Sequence, residues 1–300
     1  MTAELAATGW DAISELTVHS RQLGETVRAL VLRPDPPAAQ PRWLYLLHGR
    51  GSAAAELVPA LAAVRDAVRS GALPAHVVVA PDAPWSNRAS FWLDSRYTGD
   101  PAGGIAAGRP VESAMLADLL PAAEHRIGAP SGRARRAVGG VSMGGGAALR
   151  WALTRPALFG AAVLLSPAVY AGLPPDGSSM RAFGAFGSAT NRFDAARYRE
   201  VSYPTLLSRR SPASASLNVA ILVGDREPAL TAGSAVRDLD LEAARLHAAL
   251  KRQLSVHTAL RVRAGGHDWS FWRPALLDGL AIVGAVESSS DGRPETSGSR

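Results

Sequence analysis

Two kinds of hydrophobic pattern alternate along most of the chain. Short apolar runs, which predict buried strands, occupy residues 43–47, 76–80, 137–141, 161–165 and 218–223, with a further strand predicted at 257–263. Runs without polar alternation are typical of strands that are covered on both faces of a sheet. Helical spacing of apolar residues predicts helices at 53–68, 111–127, 143–154, 239–254 and 271–283.

The N-terminal part differs, because two stretches of strand character flank a glycine. Residues 13–20 and 27–33 lie on either side of Gly24 and predict an antiparallel hairpin. After it, strands alternate with helices, which indicates a mainly parallel central sheet with helices on both faces. Right-handed crossovers then bring the carboxyl ends of the parallel strands to one edge, where we expect the catalytic loops.

Two long segments show neither pattern. Residues 82–110 are predicted as a loop, and residues 173–217 as irregular structure with one helix near 193–199. From about Glu287 the chain is polar and rich in Ser and Gly, which predicts a disordered tail over 287–300. The rest of the chain, residues 1–286, is interpreted as one domain.

Composition narrows the class of protein. The chain is 47% hydrophobic and 19% charged, which is typical of a globular protein. Its net charge is +6, and Lys251 is its single lysine. The arginines form no stripe, so we expect no nucleic-acid partner. No apolar run approaches the length of a membrane span, and the first residues do not resemble a secretory signal, so a cytoplasmic location is expected. The absence of cysteine excludes disulfides and thiolate chemistry.

The sharpest chemical signal is the pentapeptide Gly-Val-Ser-Met-Gly at residues 140–144. This G-x-S-x-G follows a predicted strand and opens a predicted helix, which is the context of a nucleophile elbow. The turn exposes the hydroxyl of Ser142, and the helix N-terminus favours developing negative charge. Ser142 is therefore the candidate nucleophile.

A serine nucleophile needs a base and an oriented acid. Of the seven histidines, His267 follows the last predicted strand in a Gly-Gly-His-Asp-Trp turn, with Trp269 beside it. We expect His267 to be the base. Two acids, Asp225 and Glu227, follow the strand at 218–223; the longer reach of Glu227 favours it, and Asp225 remains an alternative.

The loop after the strand at 43–47 supplies a candidate oxyanion hole. Its sequence, His48-Gly-Arg-Gly51, offers the backbone N–H of Arg50, and the residue after the nucleophile, Met143, offers the second donor. His48 is expected to brace this loop. The same loop loosely matches a dinucleotide fingerprint, G-x-G-x-x-A, but the next candidate acid, Asp82, lies too far along the chain. Metal-binding and P-loop motifs are absent from the sequence.

Taken together, the motifs resemble the putative esterase family of α/β-hydrolases, the group that contains esterase D-like hydrolases and antigen 85-like mycolyltransferases. The matching stretches are Tyr-Leu-Leu-His-Gly at 45–49, Phe-Trp-Leu-Asp-Ser at 91–95, Gly-Gly-Val-Ser-Met-Gly-Gly at 139–145, Leu-Ser-Pro-Ala at 165–168 and Gly-Gly-His-Asp-Trp at 265–269 with Trp272. They span about residues 13–284.

The resemblance implies an α/β-hydrolase fold without a large lid. It implies Ser142 as nucleophile, His267 as base, Arg50 and Met143 as oxyanion donors, and an acid at the position of Glu227. Most hydrolases carry Asp at that position, whereas mycolyltransferase-like members carry Glu, so the alternative Asp225 stays open. It also suggests that residues 173–217 and Trp92 shape an acyl pocket.

The sequence thus predicts a serine hydrolase that cleaves a small-molecule carboxylic ester or thioester through an acyl-enzyme, without a cofactor or metal. An acyltransferase that uses the same residues to acylate an alcohol is an alternative. A catalytically inactive binding module on the same scaffold is another. The oligomeric state is left open.

Overall fold

The strands of this computed structural model, which describes residues 3–7, 12–83, 89–227 and 239–290, form one large sheet and one small sheet. In chain order they are β1 (Ala3–Ala7), β2 (Ile13–Ser20), β3 (Glu25–Leu32), β4 (Arg42–Leu47), β5 (His76–Pro81), β6 (Arg96–Tyr97), β7 (Arg136–Val141), β8 (Ala161–Leu165), β9 (Ser188–Ala189), β10 (Leu217–Gly224) and β11 (Val256–Arg263).

The large sheet has the strand order β1-β2-β3-β5-β4-β7-β8-β10-β11. From β1 to β5 each neighbour is antiparallel, and from β5 to β11 each neighbour is parallel. The structure therefore confirms an α/β fold with a mainly parallel sheet and an N-terminal antiparallel hairpin. The parallel strands end at one edge, from which the loops after β4, β7, β8, β10 and β11 emerge.

Helices cover both faces of this sheet. They are α1 (Val58–Arg69), α2 (Val111–Ser113), α3 (Leu120–Ile127), α4 (Met143–Thr154), α5 (Ser179–Ala182), α6 (Ala195–Val201), α7 (Tyr203–Ser208), α8 (Leu239–Lys251) and α9 (Trp269–Ser290). A π-helical stretch, Ala114–Leu119, joins α2 to α3. Helices α1 and α9 pack on one face, and the helices from α2 to α8 pack on the other.

Strand β4 shows why the central strands are continuously apolar. Trp43, Tyr45 and Leu47 belong to the core on one face of the sheet, whereas Leu44 and Leu46 belong to the core on the other. All five are at most 1% exposed. Because successive strand residues point to opposite faces, a strand between two helical layers needs apolar residues at every position. Each such buried side chain contributes about 1.5–3 kcal/mol of hydrophobic stabilisation.

The structure departs from the sequence prediction mainly outside the central strands. Strand β1 pairs with β2 and extends the antiparallel part of the sheet. The irregular segment 173–217 contains three short helices instead of one. The last helix extends to Ser290, past the predicted domain boundary. Residues 291–300 of the predicted tail lie outside the described residues, so disorder there stays a prediction.

Two segments lie over the carboxyl edge of the sheet, and we call them the cap segments: residues 89–110 and 173–216. The short strands β6 and β9 join them in parallel. Ser95 Oγ also donates a hydrogen bond to the Gly184 carbonyl at 2.6 Å. The two long segments without a clear sequence pattern thus form one structural unit.

Candidate active site

Ser142 lies in the tight turn between β7 and α4. Its backbone has φ 53° and ψ −114°, a left-handed conformation that costs a non-glycine residue about 1–3 kcal/mol. Hydrogen bonds hold the turn: Ser142 N donates to the Leu165 carbonyl at 2.8 Å, and the Ser142 carbonyl accepts from the N–H groups of Gly146 at 3.1 Å and Ala168 at 2.9 Å. The motif therefore forms the strained elbow that its sequence predicts.

The glycines of the motif are required by close backbone contacts. A Cβ on Gly140 would lie 2.5 Å from the Gly144 carbonyl carbon and 2.7 Å from the Leu47 carbonyl oxygen. A Cβ on Gly144 would overlap that same Leu47 oxygen. Strand β7, helix α4 and the end of β4 thus meet at a distance that only glycine permits.

His267 lies in the loop between β11 and α9. Its Nδ1 is 2.5 Å from Glu227 Oε2. The ring also packs edge-on against Trp272, with centroids 4.8 Å apart and an interplanar angle of 80°. The His267 side chain is 20% exposed and that of Glu227 only 1%. Glu227 and Trp272 together fix the orientation of an imidazole that remains accessible.

The second oxygen of Glu227 is bonded to a serine that the sequence analysis did not single out. Ser166 Oγ donates to Glu227 Oε1, and Gly224 N donates to the same oxygen at 3.3 Å. Ser166 Oγ accepts in turn from Trp272 Nε1 at 2.9 Å. A buried carboxylate is stable only when hydrogen bonds replace its water, and Ser166 supplies one of them. The sequence signal for Ser166 was its position directly after a predicted parallel strand, where site residues are expected.

Asp225, the alternative acid, lies elsewhere. Its side chain is 51% exposed, and its Oδ1 is 3.6 Å from Arg226 Nε. The same oxygen accepts from Gly265 N at 3.0 Å, which ties the loop after β10 to the loop after β11. Of the two acids that the sequence left open, the structure brings Glu227 to His267.

The loop after β4 is braced by His48, which is fully buried. His48 Nε2 accepts from Ala83 N at 3.1 Å, so its Nδ1 carries the proton and donates to the Gly49 carbonyl at 2.8 Å. Arg50 follows in this loop. Met143 begins α4, where the first N–H groups of a helix have no intrahelical acceptor.

A cavity of about 590 Å³ brings these residues together. Ser142, His267, Arg50, Met143 and Trp269 all line it. The volume lies within the range of about 300–1,000 Å³ that is usual for small-molecule sites.

The chain matches the family model described as "Putative esterase" over residues 20–282. It belongs to that esterase family. A comparison with curated proteins finds no match.

Several solved structures share the fold of this esterase. An S-formylglutathione hydrolase from Agrobacterium tumefaciens is 20% identical, with a TM-score of 0.69 over 95% of this chain and 99% of its own. A ferulic acid esterase is 21% identical, with a TM-score of 0.68 over 91% and 98%. FphF, a fluorophosphonate-binding serine hydrolase of Staphylococcus aureus, is 17% identical, with a TM-score of 0.68 over 91% and 98%. These likenesses establish the α/β-hydrolase architecture.

The structure of the esterase corrects one predicted site residue. Trp92 does not line the cavity; it is fully buried, and its Nε1 donates to the His48 carbonyl at 3.2 Å. Phe91 lines the cavity instead. Both residues belong to a left-handed turn and to the core, but only the Phe91 side chain also reaches the cavity, whereas the Trp92 ring packs against His48 and Trp151.

Metal sites and membrane-spanning helices were also searched for in the described part of the esterase. Over residues 3–7, 12–83, 89–227 and 239–290, no group of three or more His, Asp or Glu side chains is arranged to hold a metal ion. None of the helices in these ranges is both long and apolar enough to cross a membrane.

Proposed function

We propose that this esterase is a serine hydrolase in which Ser142, His267 and Glu227 act as a catalytic triad. The observation that carries the proposal is the 2.5 Å contact between His267 Nδ1 and the buried Glu227 carboxylate. His267 also lines the same cavity as the strained Ser142. An oriented imidazole and a serine in an elbow, both lining one cavity, form the arrangement that serine acyl transfer requires.

In the proposed mechanism, the protonated Nδ1 of His267 donates a hydrogen bond to the ionised Glu227, which leaves the unprotonated Nε2 as the base. Nε2 takes the proton of Ser142 as Oγ attacks the substrate carbonyl carbon, and the carbonyl electron pair moves onto oxygen. The N–H groups of Met143 and Arg50 stabilise this oxyanion; one such donor is worth about 3 kcal/mol of barrier. The tetrahedral intermediate then expels the alcohol or thiol, which receives the proton from His267.

Water then hydrolyses the acyl-enzyme. His267 Nε2 removes a proton from the water, whose oxygen attacks the acyl carbon, and Ser142 leaves as it regains the proton. Glu227 stays ionised throughout and stabilises the imidazolium. The steps need no metal or cofactor.

We propose a small-molecule ester or thioester as the substrate. Membership of an esterase family supports ester cleavage. The similar structures are described as an S-formylglutathione hydrolase, a ferulic acid esterase and a fluorophosphonate-binding serine hydrolase. The cavity of about 590 Å³ has room for ligands of this class.

The test is covalent labelling and turnover in Ser142→Ala. Because Ser142→Ala removes only one hydroxyl from a residue that lines the cavity, we expect the variant to fold normally but to lose fluorophosphonate labelling. We expect nitrophenyl ester turnover to fall by about 10⁴-fold or more. Ser208→Ala, which removes an exposed hydroxyl at the end of α7, is the control and should keep both properties. A folded Ser142→Ala protein that is still labelled or still active would overturn the proposed function.

A further inference from the structure

The turn at Phe91 and Trp92 is unusual for its residue types. The two residues have φ values of 49° and 54°, so two consecutive bulky aromatic residues adopt a left-handed conformation. Non-glycine residues rarely do so, and for large side chains each case is a genuine outlier. Such a conformation persists only where surrounding contacts impose it.

Arg150 of helix α4 supplies those contacts. Its Nη2 donates to the Phe91 carbonyl at 2.9 Å and to the Trp92 carbonyl at 2.6 Å. Its Nε donates to Glu112 Oε2 at 3.0 Å, and Arg150 as a whole is only 7% exposed. The rigid guanidinium fork therefore binds both carbonyls of the strained turn while Glu112 compensates its charge.

The turn reaches both segments that carry the proposed oxyanion donors. Phe91 N donates to Met143 Sδ at 3.2 Å. Trp92 Nε1 donates to the carbonyl of His48, two residues before Arg50. A guanidinium on α4 is thus connected to the reacting centre through two residues that it holds in an otherwise unfavourable conformation.

Phe91 also stands between two spaces. It lines the cavity that contains Ser142, and together with Arg150, Phe186 and Tyr198 it lines a smaller, mainly apolar pocket of about 40 Å³. Its ring lies 5.4 Å from that of Phe186. Five residues, Phe91 among them, line both spaces, so a shift of the Phe91 ring would change the access from the cavity at Ser142 to the smaller pocket.

We propose that Arg150 is a positioning residue that holds Phe91 as the wall of the acyl site and so limits the size of the acyl group accepted. The inference rests on the proposed serine hydrolase function. A purely structural role for Arg150 would lower stability and reduce turnover of all esters alike. A positioning role changes the preference between short and long acyl groups.

The test compares kcat and KM for nitrophenyl acetate, butyrate and octanoate across matched variants. In Arg150→Met the turn is released, so we expect the ratio of kcat/KM for octanoate to that for acetate to rise at least about fivefold. Phe91→Ala removes the wall directly and should raise the ratio in the same direction. Most of the change should lie in a lower KM for octanoate.

Arg155→Met is the matched control. Arg155 Nη2 lies 3.6 Å from the other oxygen of Glu112, and its side chain is 46% exposed. This variant removes a guanidinium from the same carboxylate without touching the turn, so its ratio should stay within about twofold of the wild type. Thermal unfolding of each variant measures the stability change separately.

If Arg150→Met does not fold, Arg150→Lys tests whether Arg150 positions Phe91. A lysine ammonium ends one bond short of the Nη2 position, so it can neutralise Glu112 but cannot bind both carbonyls. We expect a smaller rise in the ratio with a retained fold. An unchanged ratio in the folded Arg150 variants, or an equal rise in Arg155→Met, would overturn the proposal while leaving the hydrolase intact. A wild-type chain that cleaves none of the esters would instead overturn the proposed function, and this inference with it.

Discussion

The carboxyl edge of the sheet and the cap segments above it are held together by different contacts. At the edge the contacts are between backbone atoms, because Gly140 and Gly144 let β7 and α4 pack directly against the end of β4. In the cap, side chains and short strands join distant parts of the chain. Ser95 bonds to Gly184, 89 positions away, and Thr98 N donates to the Ala189 carbonyl at 2.8 Å.

Under the proposed function, this difference separates the features that position the reacting groups from those that shape the substrate site. Ser142, His267 and Glu227 are placed by strand ends and adjacent turns, so their geometry follows from the sheet. Phe91 is placed by the cap and by a single buried arginine. We therefore expect substitutions at the edge to act on rate and those in the cap to act on selectivity or stability.

The largest expected effect at the edge separates the two acids after β10. Glu227→Gln removes the carboxylate that contacts His267 and should lower kcat/KM by about 10⁴-fold, because the imidazole loses its orientation and the stabilisation of its cationic form. Asp225→Asn changes a half-exposed side chain that caps a loop, so the loss should stay below about tenfold. Steady-state kinetics on one nitrophenyl ester measures both. The opposite ranking would move the acid to Asp225.

The next effect tests the proposed oxyanion donor on the loop after β4. Arg50→Pro deletes the backbone N–H and should lower kcat by about 10²–10³-fold. Arg50→Ala keeps that N–H and removes only the exposed guanidinium, so the loss should stay below about tenfold. Thermal unfolding of both variants shows whether the loop survives. If Arg50→Ala were as damaging as Arg50→Pro, the side chain and not the backbone would carry the function, as expected for recognition of an anionic substrate group.

A smaller effect, on stability, tests the close packing of the edge. Gly144→Ala places a methyl group on the Leu47 carbonyl oxygen and should lower the free energy of unfolding by about 1–3 kcal/mol. Gly49→Ala is the matched control, because its Cβ would meet Val141 Cγ2 at an ordinary 3.5 Å. It should cost less than about 1 kcal/mol. Urea unfolding of the two variants gives the comparison, and equal losses would contradict the packing argument.

The same contrast explains what the sequence could and could not predict. The parallel strands were predictable because a strand between two helical layers must be apolar at every position. The elbow was predictable because its turn needs small residues at fixed spacing around Ser142. Glu227 was favoured over Asp225 on side-chain reach, and the structure brings it to His267.

The contacts of Ser166, Phe91 and Trp92 were not predictable, because they join residues that are far apart in the chain. Ser166 bonds to Glu227, 61 positions away, and to Trp272, 106 positions away. The Trp92 carbonyl, in the left-handed turn, accepts a hydrogen bond from Arg150, 58 positions away. A local pattern places Ser166 at the end of a parallel strand but does not show which distant residues it contacts.

The smallest expected effects come from two serine substitutions, one at the carboxyl edge and one in the cap segments. Ser166→Ala removes the hydroxyl that donates to Glu227 Oε1 and accepts from Trp272 Nε1, so we expect kcat/KM to fall about tenfold as the carboxylate loses a fixed partner. Ser95→Ala removes the hydroxyl that donates to Gly184, and it should cost about 1 kcal/mol of stability with little change in rate. Kinetics and urea unfolding on both variants separate the two outcomes. A loss of rate in Ser95→Ala equal to that in Ser166→Ala would mean that the cap orients the reacting groups directly, and the division between rate at the edge and selectivity in the cap would fail.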